Sequence, residues 1–258
     1  MKTIKLTIHY DGSRFHGWQR QSQKRSVQGT IEKTLSRILK TQIMIHGASR
    51  TDSGVHSTGQ VASFQYQLPM PLKQLQKAMN NELSDDVCIV NIAYAEDDFH
   101  ARYSACGKTY HYQVDQGPYK NVFRSKYAYY YPYDLDLDKL KLICQKLKGT
   151  HDFGSFKAAG SSAQNPVRTI TELDFFETST GFTFVFTGDG FLYKMVRLMM
   201  GYILNVASGR KSIDTLSEVL ETPSRLHTNI VAPAEGLCLK EVYYEIIEKH
   251  NKNLDFDS

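Results

Sequence analysis

The sequence lacks a long uncharged apolar stretch. Its most apolar long segment, Phe191 to Ala207, is interrupted by Lys194 and Arg197. A membrane helix needs about 20 consecutive apolar residues, so we interpret this segment as a core helix and expect no membrane association. The N-terminus has no apolar run and carries Lys2 and Lys5, which is untypical of a signal peptide.

Cysteine is also sparse. The chain has 4 cysteines, they are widely spread, and none forms a CxxC pair. This argues against a structural zinc site or a disulfide framework and fits a reducing cytoplasm. The 9 histidines show no spacing typical of metal ligands. We therefore expect a cytoplasmic protein without a metal site.

What the sequence does have is the composition of a folded protein and an uneven charge. The 258 residues are 41% hydrophobic and 22% charged, enough for one large domain or two small ones. The net charge is only +4, but residues 1–80 hold 12 Lys and Arg against 3 Asp and Glu, whereas residues 81–258 hold 19 against 24. The basic excess includes a crowded stretch formed by Arg14, Arg20, Lys24 and Arg25. Such a stretch indicates either a polyanion-binding surface or a solvated loop, and charge alone leaves both open.

Hydrophobic spacing predicts a repeated order of elements. In the first half it predicts strands at 3–10, 42–47, 60–66 and 87–94, a helix at 27–40 capped by Ser26, and a second helix opened by Pro71. In the second half it predicts strands at 109–114, 168–177, 181–187 and 237–246, a helix capped by Asp136, and helices over Phe191–Ser208 and Ile213–Leu220. Each half thus has the order β-α-β-β-α-β.

This order predicts an α+β fold with two ferredoxin-like halves, whose antiparallel sheets meet at a central cleft. We place the first half at residues 1–105 and the second at 106–246, with a polar tail at 247–258. The first half would carry the basic stretch, and the second would complete the cleft.

One connection is too long for this plan. The strands at 42–47 and 60–66 should be joined by about 2–5 residues, but 48–59 lies between them, and long ordered loops are often functional. Asp52 is the only acid between Glu32 and Glu82. It is either a functional carboxylate or an acid that caps the turn or neutralises a nearby arginine, and the pattern alone favours neither.

The loop and its surroundings resemble a known family. The segment HGASRTDSGVHSTGQV is similar to the signature loop of the tRNA pseudouridine synthase A family. Further blocks match in the same order over about residues 3–246: YDGSRFHGWQRQ, SVQGTIE, DDFHARYSACGKTYHY, GTHDFGSF, NPVRTI, GDGFLYKMVRLMMG and APAEGLCL. Ser49 and Ser53 stand where the family loop more often has Gly and Ala. Two alternatives therefore stay open: this protein is the main enzyme of the family in its cell, or it is a second, diverged copy.

The resemblance implies that uridine is isomerised to pseudouridine at positions 38, 39 and 40 of the tRNA anticodon stem-loop. The N1–C1′ bond breaks, the uracil turns, and C5 bonds to C1′, so neither cofactor nor metal is required. It also implies a homodimer in which one tRNA contacts both subunits.

The resemblance assigns the central roles to three residues. Asp52 would be the catalytic carboxylate, acting either as a nucleophile or as a base on the sugar. Arg197 would pair with Asp52, and its apolar neighbours favour a buried arginine over a surface one. Tyr110 would stack on the uracil and take part in moving the C5 proton, although without the resemblance a core aromatic residue would be the better interpretation.

Further roles follow for the cleft and its rim. Arg50 would assist base flipping, and Leu237 would form an apolar wall of the uracil slot. The basic stretch would contact tRNA phosphates, and three more basic residues would extend that surface: Arg102, Lys108 and Arg168. Two other hypotheses stay open, a non-catalytic RNA-binding module and a carboxylate-dependent N-glycosylase.

Overall fold

The computed structural model describes residues 1–161 and 163–245, so the tail predicted at 247–258 lies outside the described residues. Over these ranges there are ten strands: β1 Lys2–Tyr10, β2 His46–Gly47, β3 His56–Tyr66, β4 Val87–Ala95, β5 Gly107–Asp115, β6 Tyr129–Tyr130, β7 Gly149–Asp152, β8 Val167–Thr178, β9 Gly181–Gly188 and β10 Leu237–Tyr243. The same ranges hold five α-helices: α1 Val27–Leu39, α2 Leu72–Glu82, α3 Leu137–Leu147, α4 Met195–Ala207 and α5 Thr215–Glu221. None of these helices combines the length and apolar character that a membrane span requires.

All the strands belong to one sheet. Eight of them follow the order β4-β1-β3-β10-β5-β9-β8-β7, with β2 beside β3 and β6 beside β5. Neighbouring strands are antiparallel except at β10–β3 and β5–β6. The predicted α+β class is confirmed, but the two predicted sheets are parts of one sheet, because β10 pairs with both β3 and β5.

The elements form where side-chain periodicity gives them one apolar face. In β1, Ile4, Leu6 and Ile8 are fully buried and belong to a core cluster that also holds residues of α1 and α2. A second cluster joins β5 and β9 to α3 and α4. Each half of the sheet therefore has its own core, as the alternating pattern of the sequence indicates.

Two predicted boundaries are wrong for local hydrogen-bonding reasons. The strand predicted at 42–47 is reduced to His46–Gly47, because the Ile43 and Ile45 amides donate to Ser36 Oγ and a Glu32 carboxylate oxygen of α1. The strand predicted at 60–66 begins earlier, at His56. The connection containing Asp52 is therefore 48–55 rather than 48–59.

The helix predicted over Phe191–Ser208 begins only at Met195. Lys194 adopts a left-handed conformation with φ of 59°, which is costly for a residue with a side chain and interrupts a right-handed helix. The segment 191–194 is thus a turn in front of α4 rather than its first turn. The strand predicted at 237–246 ends at Tyr243, and the helix predicted at 213–220 spans Thr215–Glu221.

The seam between the two halves is narrow. Strands β3 and β10 are paired only at Cys238 with His56 and at Leu239 with Ser57. The Ser57 hydroxyl donates to the Leu239 carbonyl at 2.9 Å, which adds a side-chain bond to the seam. A Cβ atom on Gly59 would lie 1.9 Å from the Lys240 carbonyl oxygen. The absence of a side chain at Gly59 thus allows the two strands to approach.

Candidate active site

A large cleft lies where the two halves meet. Its cavity has a volume of about 950 Å³ and is lined by the 48–55 loop, the turn in front of α4, and residues of β5 and β10. Both halves of the chain therefore contribute to its walls. Cavities at such junctions are common places for ligand sites.

Asp52 and Arg197 meet in this cleft. Arg197 Nη1 donates to Asp52 Oδ2 at 2.8 Å, and the two side chains are only 14% and 13% exposed. Arg197 is also held by the 230–234 segment, because its Nε donates to the Ala232 carbonyl and its own carbonyl accepts from the Ala232 amide. The structure thus brings together two residues that lie 145 positions apart in the sequence.

The backbone on either side of Asp52 is fixed by the N-terminal segment. The Thr51 hydroxyl is hydrogen-bonded to the buried Tyr10 hydroxyl at 2.8 Å, and the Trp18 amide donates to the Thr51 carbonyl. Gly17 has a φ of +88°, and a Cβ there would lie 2.6 Å from the Thr51 carbonyl oxygen. A glycine is required at this point both by its backbone conformation and by the close approach of the loop.

Tyr110 lies on β5 and faces the cleft with only 6% of its surface exposed. Its hydroxyl is 2.7 Å from Ser49 Oγ, and its ring meets the edge of the Phe191 ring at a centroid distance of 5.3 Å. Burial raises the pKa of Tyr110 to about 12, although the Ser49 hydrogen bond acts in the opposite direction. Tyr112, on the same face, is fully buried and donates to the Pro233 carbonyl, which is a structural role.

Arg50 and Leu237 both line the cavity. Arg50 is exposed, and no hydrogen bond or ion pair holds its guanidinium within the part of the chain that the structure describes. Leu237 is 6% exposed and is the first residue of β10. Arg50 thus adds a cation, and Leu237 an apolar wall, to the cavity that Asp52 and Tyr110 line.

Three basic residues predicted at the rim do line the cavity: Arg102, Lys108 and Arg168. The pKa of Lys108 is lowered to about 8, chiefly by burial. The positive charges of Arg102 and Arg168 act in the same direction, and the charge of Asp189 acts in the opposite one. A weakly solvated ammonium group between two guanidinium groups favours an anion as its partner.

The crowded basic stretch is divided by the structure. Arg20 donates to both carboxylate oxygens of Glu32, and Arg25 donates to both of Asp86. Lys24 lines the cavity, whereas Arg14 is exposed at the end of a short 3-10 helix at 12–14. The stretch is therefore no uniform surface, since two of its four cations already have carboxylate partners.

Sequence reasoning missed the residues beneath the loop. Gln60 is fully buried, and its side-chain amide bonds both the amide and the carbonyl of Ser49. In β3 it shares a face with Ala62 and Phe64, since these pair in register with the buried Leu6 and Ile4. A polar residue on the apolar face of an alternating strand was the available signal for a buried hydrogen-bonding role.

Within residues 1–161 and 163–245, no group of three or more His, Cys, Asp or Glu side chains is arranged to hold a metal ion.

Comparison with known proteins identifies the family. A family model described as tRNA pseudouridine synthase matches residues 6–104 and 143–245. Two curated relatives, named tRNA pseudouridine synthase A, come from Streptococcus pneumoniae strains Hungary19A-6 and CGSP14. Each is 44% identical over 248 residues, which cover 95% of this chain and 100% of the relative. The paired Asp52 and Arg197, the buried Tyr110 and these matches lead to one conclusion: the chain belongs to the tRNA pseudouridine synthase family, whose members are isomerases.

Proposed function

We propose that this protein isomerises uridine to pseudouridine at positions 38, 39 and 40 of the tRNA anticodon stem-loop, with Asp52 as the catalytic carboxylate. The observation that carries the proposal is the partly buried ion pair between Asp52 and Arg197 in a cavity of about 950 Å³ that is also lined by Tyr110. Family membership supports the reaction class.

The ion pair leaves one oxygen of Asp52 for chemistry. Arg197 bonds Oδ2 at 2.8 Å, and Oδ1 has no hydrogen-bond partner among the described residues. The guanidinium compensates the negative charge and fixes the orientation of the carboxylate. A carboxylate held in this way can attack the electron-poor C1′ of the nucleoside or remove a proton from the sugar. Both routes use Oδ1 of Asp52 as the reacting atom, and both depend on Arg197 to hold the carboxylate.

Tyr110 is suited to the uracil that leaves the RNA stack. Its ring lines the cavity together with Leu237 and Phe191, so a flipped base would enter an aromatic and apolar slot. When C5 has bonded to C1′, C5 has to lose a proton and N1 has to gain one. We assign the first transfer to the Tyr110 hydroxyl as a relay, in which its oxygen accepts the C5 proton while its own proton passes to solvent, and N1 takes up a proton from solvent. Arg50, exposed at the mouth of the slot, would assist flipping.

The RNA backbone would be held by cations that face the cleft. Four such cations line the cavity: Lys24, Arg102, Lys108 and Arg168. Phosphate contacts of this kind give affinity and register without reading the base. Arg14, Arg20 and Arg25 would belong to the wider surface. A homodimer, in which one tRNA contacts both subunits, and a cytoplasmic location complete the proposal, and no cofactor or metal is needed.

We also propose that the chain is built from two ferredoxin-like halves, at 1–105 and 106–246. The strand orders support this, since β4-β1-β3-β2 in the first half corresponds to β10-β5-β9-β8 in the second. A helix follows the first strand of each half, α1 after β1 and α3 after β5. The cleft would then lie at the junction of two similar units.

The decisive experiment uses an unmodified tRNA transcript with uridines at positions 38, 39 and 40. The protein is expected to form pseudouridine there, mapped by chemical derivatisation. Asp52→Ala is expected to form none while still binding the transcript in a filter assay. Asp85→Asn, which changes an exposed acid lining a different cavity, is the matched control and should keep its activity.

Three outcomes would contradict the proposal. Binding without product by the unaltered protein would favour a non-catalytic RNA-binding module. Release of free uracil would favour an N-glycosylase. Residual pseudouridine formation by Asp52→Ala would show that another residue is the catalytic one.

A further inference from the structure

Ser49 is held unusually firmly for a residue in a loop. Gln60 Oε1 accepts from the Ser49 amide at 3.2 Å, and Gln60 Nε2 donates to the Ser49 carbonyl at 2.8 Å. Gln60 itself is fully buried in β3. Both backbone hydrogen-bonding groups of Ser49 are thereby fixed by one side chain, which also fixes the direction in which the Ser49 side chain leaves the backbone.

The side chain of Ser49 makes one contact that bears on the reaction. Its Oγ lies 2.7 Å from the Tyr110 hydroxyl, a short distance for two hydroxyl groups, and both residues are buried. The Tyr110 hydroxyl has no other hydrogen-bond partner in the part of the chain that is described. Without Ser49, this buried hydroxyl would have no partner, which is costly inside a protein.

We propose that Ser49 is a positioning residue, whose hydroxyl orients the Tyr110 hydroxyl and stabilises negative charge on it during proton transfer. This role rests on the proposed function of the cleft. Ser49 contacts no reacting atom in this scheme and acts through Tyr110 alone.

Several groups around Tyr110 raise its pKa and so act against the Ser49 hydroxyl. Asp52 approaches from the loop and Cys238 from β10, and both act to raise the pKa of Tyr110 in addition to its burial. The hydroxyl of Tyr10, on β1, lies close enough to be influenced by Tyr110 in turn. The Ser49 hydrogen bond lowers the pKa of Tyr110, so its removal should raise this pKa.

A direct test places 3-fluorotyrosine at position 110 and follows its titration by ¹⁹F NMR, because fluorine lowers the pKa of a phenol into a range where the protein stays folded. Ser49→Ala and Ser49→Gly are each expected to move the titration midpoint to higher pH, by the same amount, since both remove the hydroxyl. Ser53→Ala is the matched control, because the Ser53 hydroxyl donates to the Phe15 carbonyl instead. The control should leave the midpoint unchanged.

A kinetic test measures single-turnover pseudouridine formation on the tRNA transcript. Ser49→Ala is expected to slow the reaction about three- to tenfold, the range for loss of one hydrogen bond, with tRNA affinity unchanged. The pH profile of the single-turnover rate should shift to higher pH in Ser49→Ala, because the pKa of Tyr110 rises. This direction is the same whether Tyr110 acts as a base or as an acid. In a Tyr110→Phe background, Ser49→Ala should have no further effect.

The outcomes separate the two proposals. An unshifted ¹⁹F titration in an active enzyme, or an equal slowing of the reaction with and without the Tyr110 hydroxyl, would overturn the role of Ser49. If Tyr110→Phe has no measurable rate, the titration decides. Failure of the unaltered protein to form pseudouridine would contradict the proposed function instead, and the titration could still be measured.

Discussion

At the scale of single residues, the central feature is a partly buried charge pair shared between distant parts of the chain. Asp52 lies in a loop and Arg197 in a helix, and their side chains are 13% and 14% exposed. A buried charge is tolerated only when it is compensated, so each of the two residues depends on the other. Catalytic and structural effects of changing either one are therefore linked and have to be measured together.

Arg197→Met should reveal this linkage. The substitution leaves the partly buried Asp52 carboxylate without its partner, so the free energy of unfolding should fall by about 1–3 kcal/mol. Urea denaturation measures this value, and pseudouridine formation should be lost in parallel. Arg37→Met is the control, since Arg37 pairs with Glu82 at the surface with 60% of its side chain exposed, and should cost about 1 kcal/mol or less. Equal effects of the two substitutions would contradict the assigned burial.

Lys108 should give tRNA binding a pH dependence. Burial lowers its pKa to about 8, so free protein loses this charge as the pH rises through about 8, and a phosphate contact is lost with it. We expect affinity for tRNA, measured at constant salt with Asp52→Ala protein, to fall between about pH 7 and 9. Lys108→Arg keeps its charge over this range and should bind with little change. A similar fall in both proteins would place the titrating group elsewhere.

At the scale of elements, the site depends on the seam between β3 and β10. The strands share only two residue pairs, yet Asp52 lies just before β3 and Leu237 is the first residue of β10. A small displacement of one strand along the other would therefore change the distance between the loop and the apolar wall of the slot.

Gly59→Ala should disturb this seam. The added Cβ would lie 1.9 Å from the backbone oxygen of Lys240, so β10 would have to move, and overpacking of this kind costs about 1–3 kcal/mol. Urea denaturation should show this loss, together with slower pseudouridine formation. Gly190→Ala is the control for stability, because its Cβ would meet nothing closer than Arg168 Nε at 3.7 Å. Unchanged stability of Gly59→Ala would mean that the seam is looser than the structure indicates.

Local patterns in the sequence predicted most elements, because alternation and helical spacing report which side faces a core. They did not predict that β10 lies between β3 and β5, since strand pairing across the chain depends on packing that no local pattern encodes. The late start of α4 depends on the left-handed conformation of Lys194. A lysine does not indicate this conformation in a sequence, as a glycine or an asparagine would. The hydrogen bonds between Gln60 and Ser49 were missed for a different reason. The polar Gln60 on the apolar face of its strand indicated a buried hydrogen-bonding role, but its partner in the loop cannot be read from a local pattern.

At the scale of the whole molecule, the cleft is positive for a different reason than the sequence suggested. Several cations of the basic first third are paired within the structure: Arg20 with Glu32, Arg25 with Asp86 and Arg37 with Glu82. The cations that line the cavity come from both halves, Lys24 and Arg50 from the first and Lys108 and Arg168 from the second. The surface that we assign to tRNA is thus assembled by the fold and is not a single basic segment.

Two substitutions distinguish a free cation from a paired one. Lys24→Gln should weaken tRNA binding and reduce the slope of log affinity against log salt by about 0.7–1, the effect of one lost phosphate contact. Arg25→Gln should change the slope less, because the Arg25 guanidinium already bonds Asp86 and lies 4.0 Å from the Phe15 ring. Fluorescence anisotropy at several salt concentrations measures both. A larger effect for Arg25→Gln would move the RNA contact away from the cavity.

The position of β10 also has a consequence for the order in which the protein is made. It is the last strand along the described chain, yet it lies in the middle of the sheet, between β3 and β5. A ribosome produces the other strands of both halves before it produces the strand that joins them, and domains begin to fold during synthesis. The wall of the cleft that contains Leu237 is absent until Leu237–Tyr243 has been inserted. Completion of the cleft is therefore coupled to the insertion of β10, and a chain that still lacks this strand would have a cleft without its apolar wall.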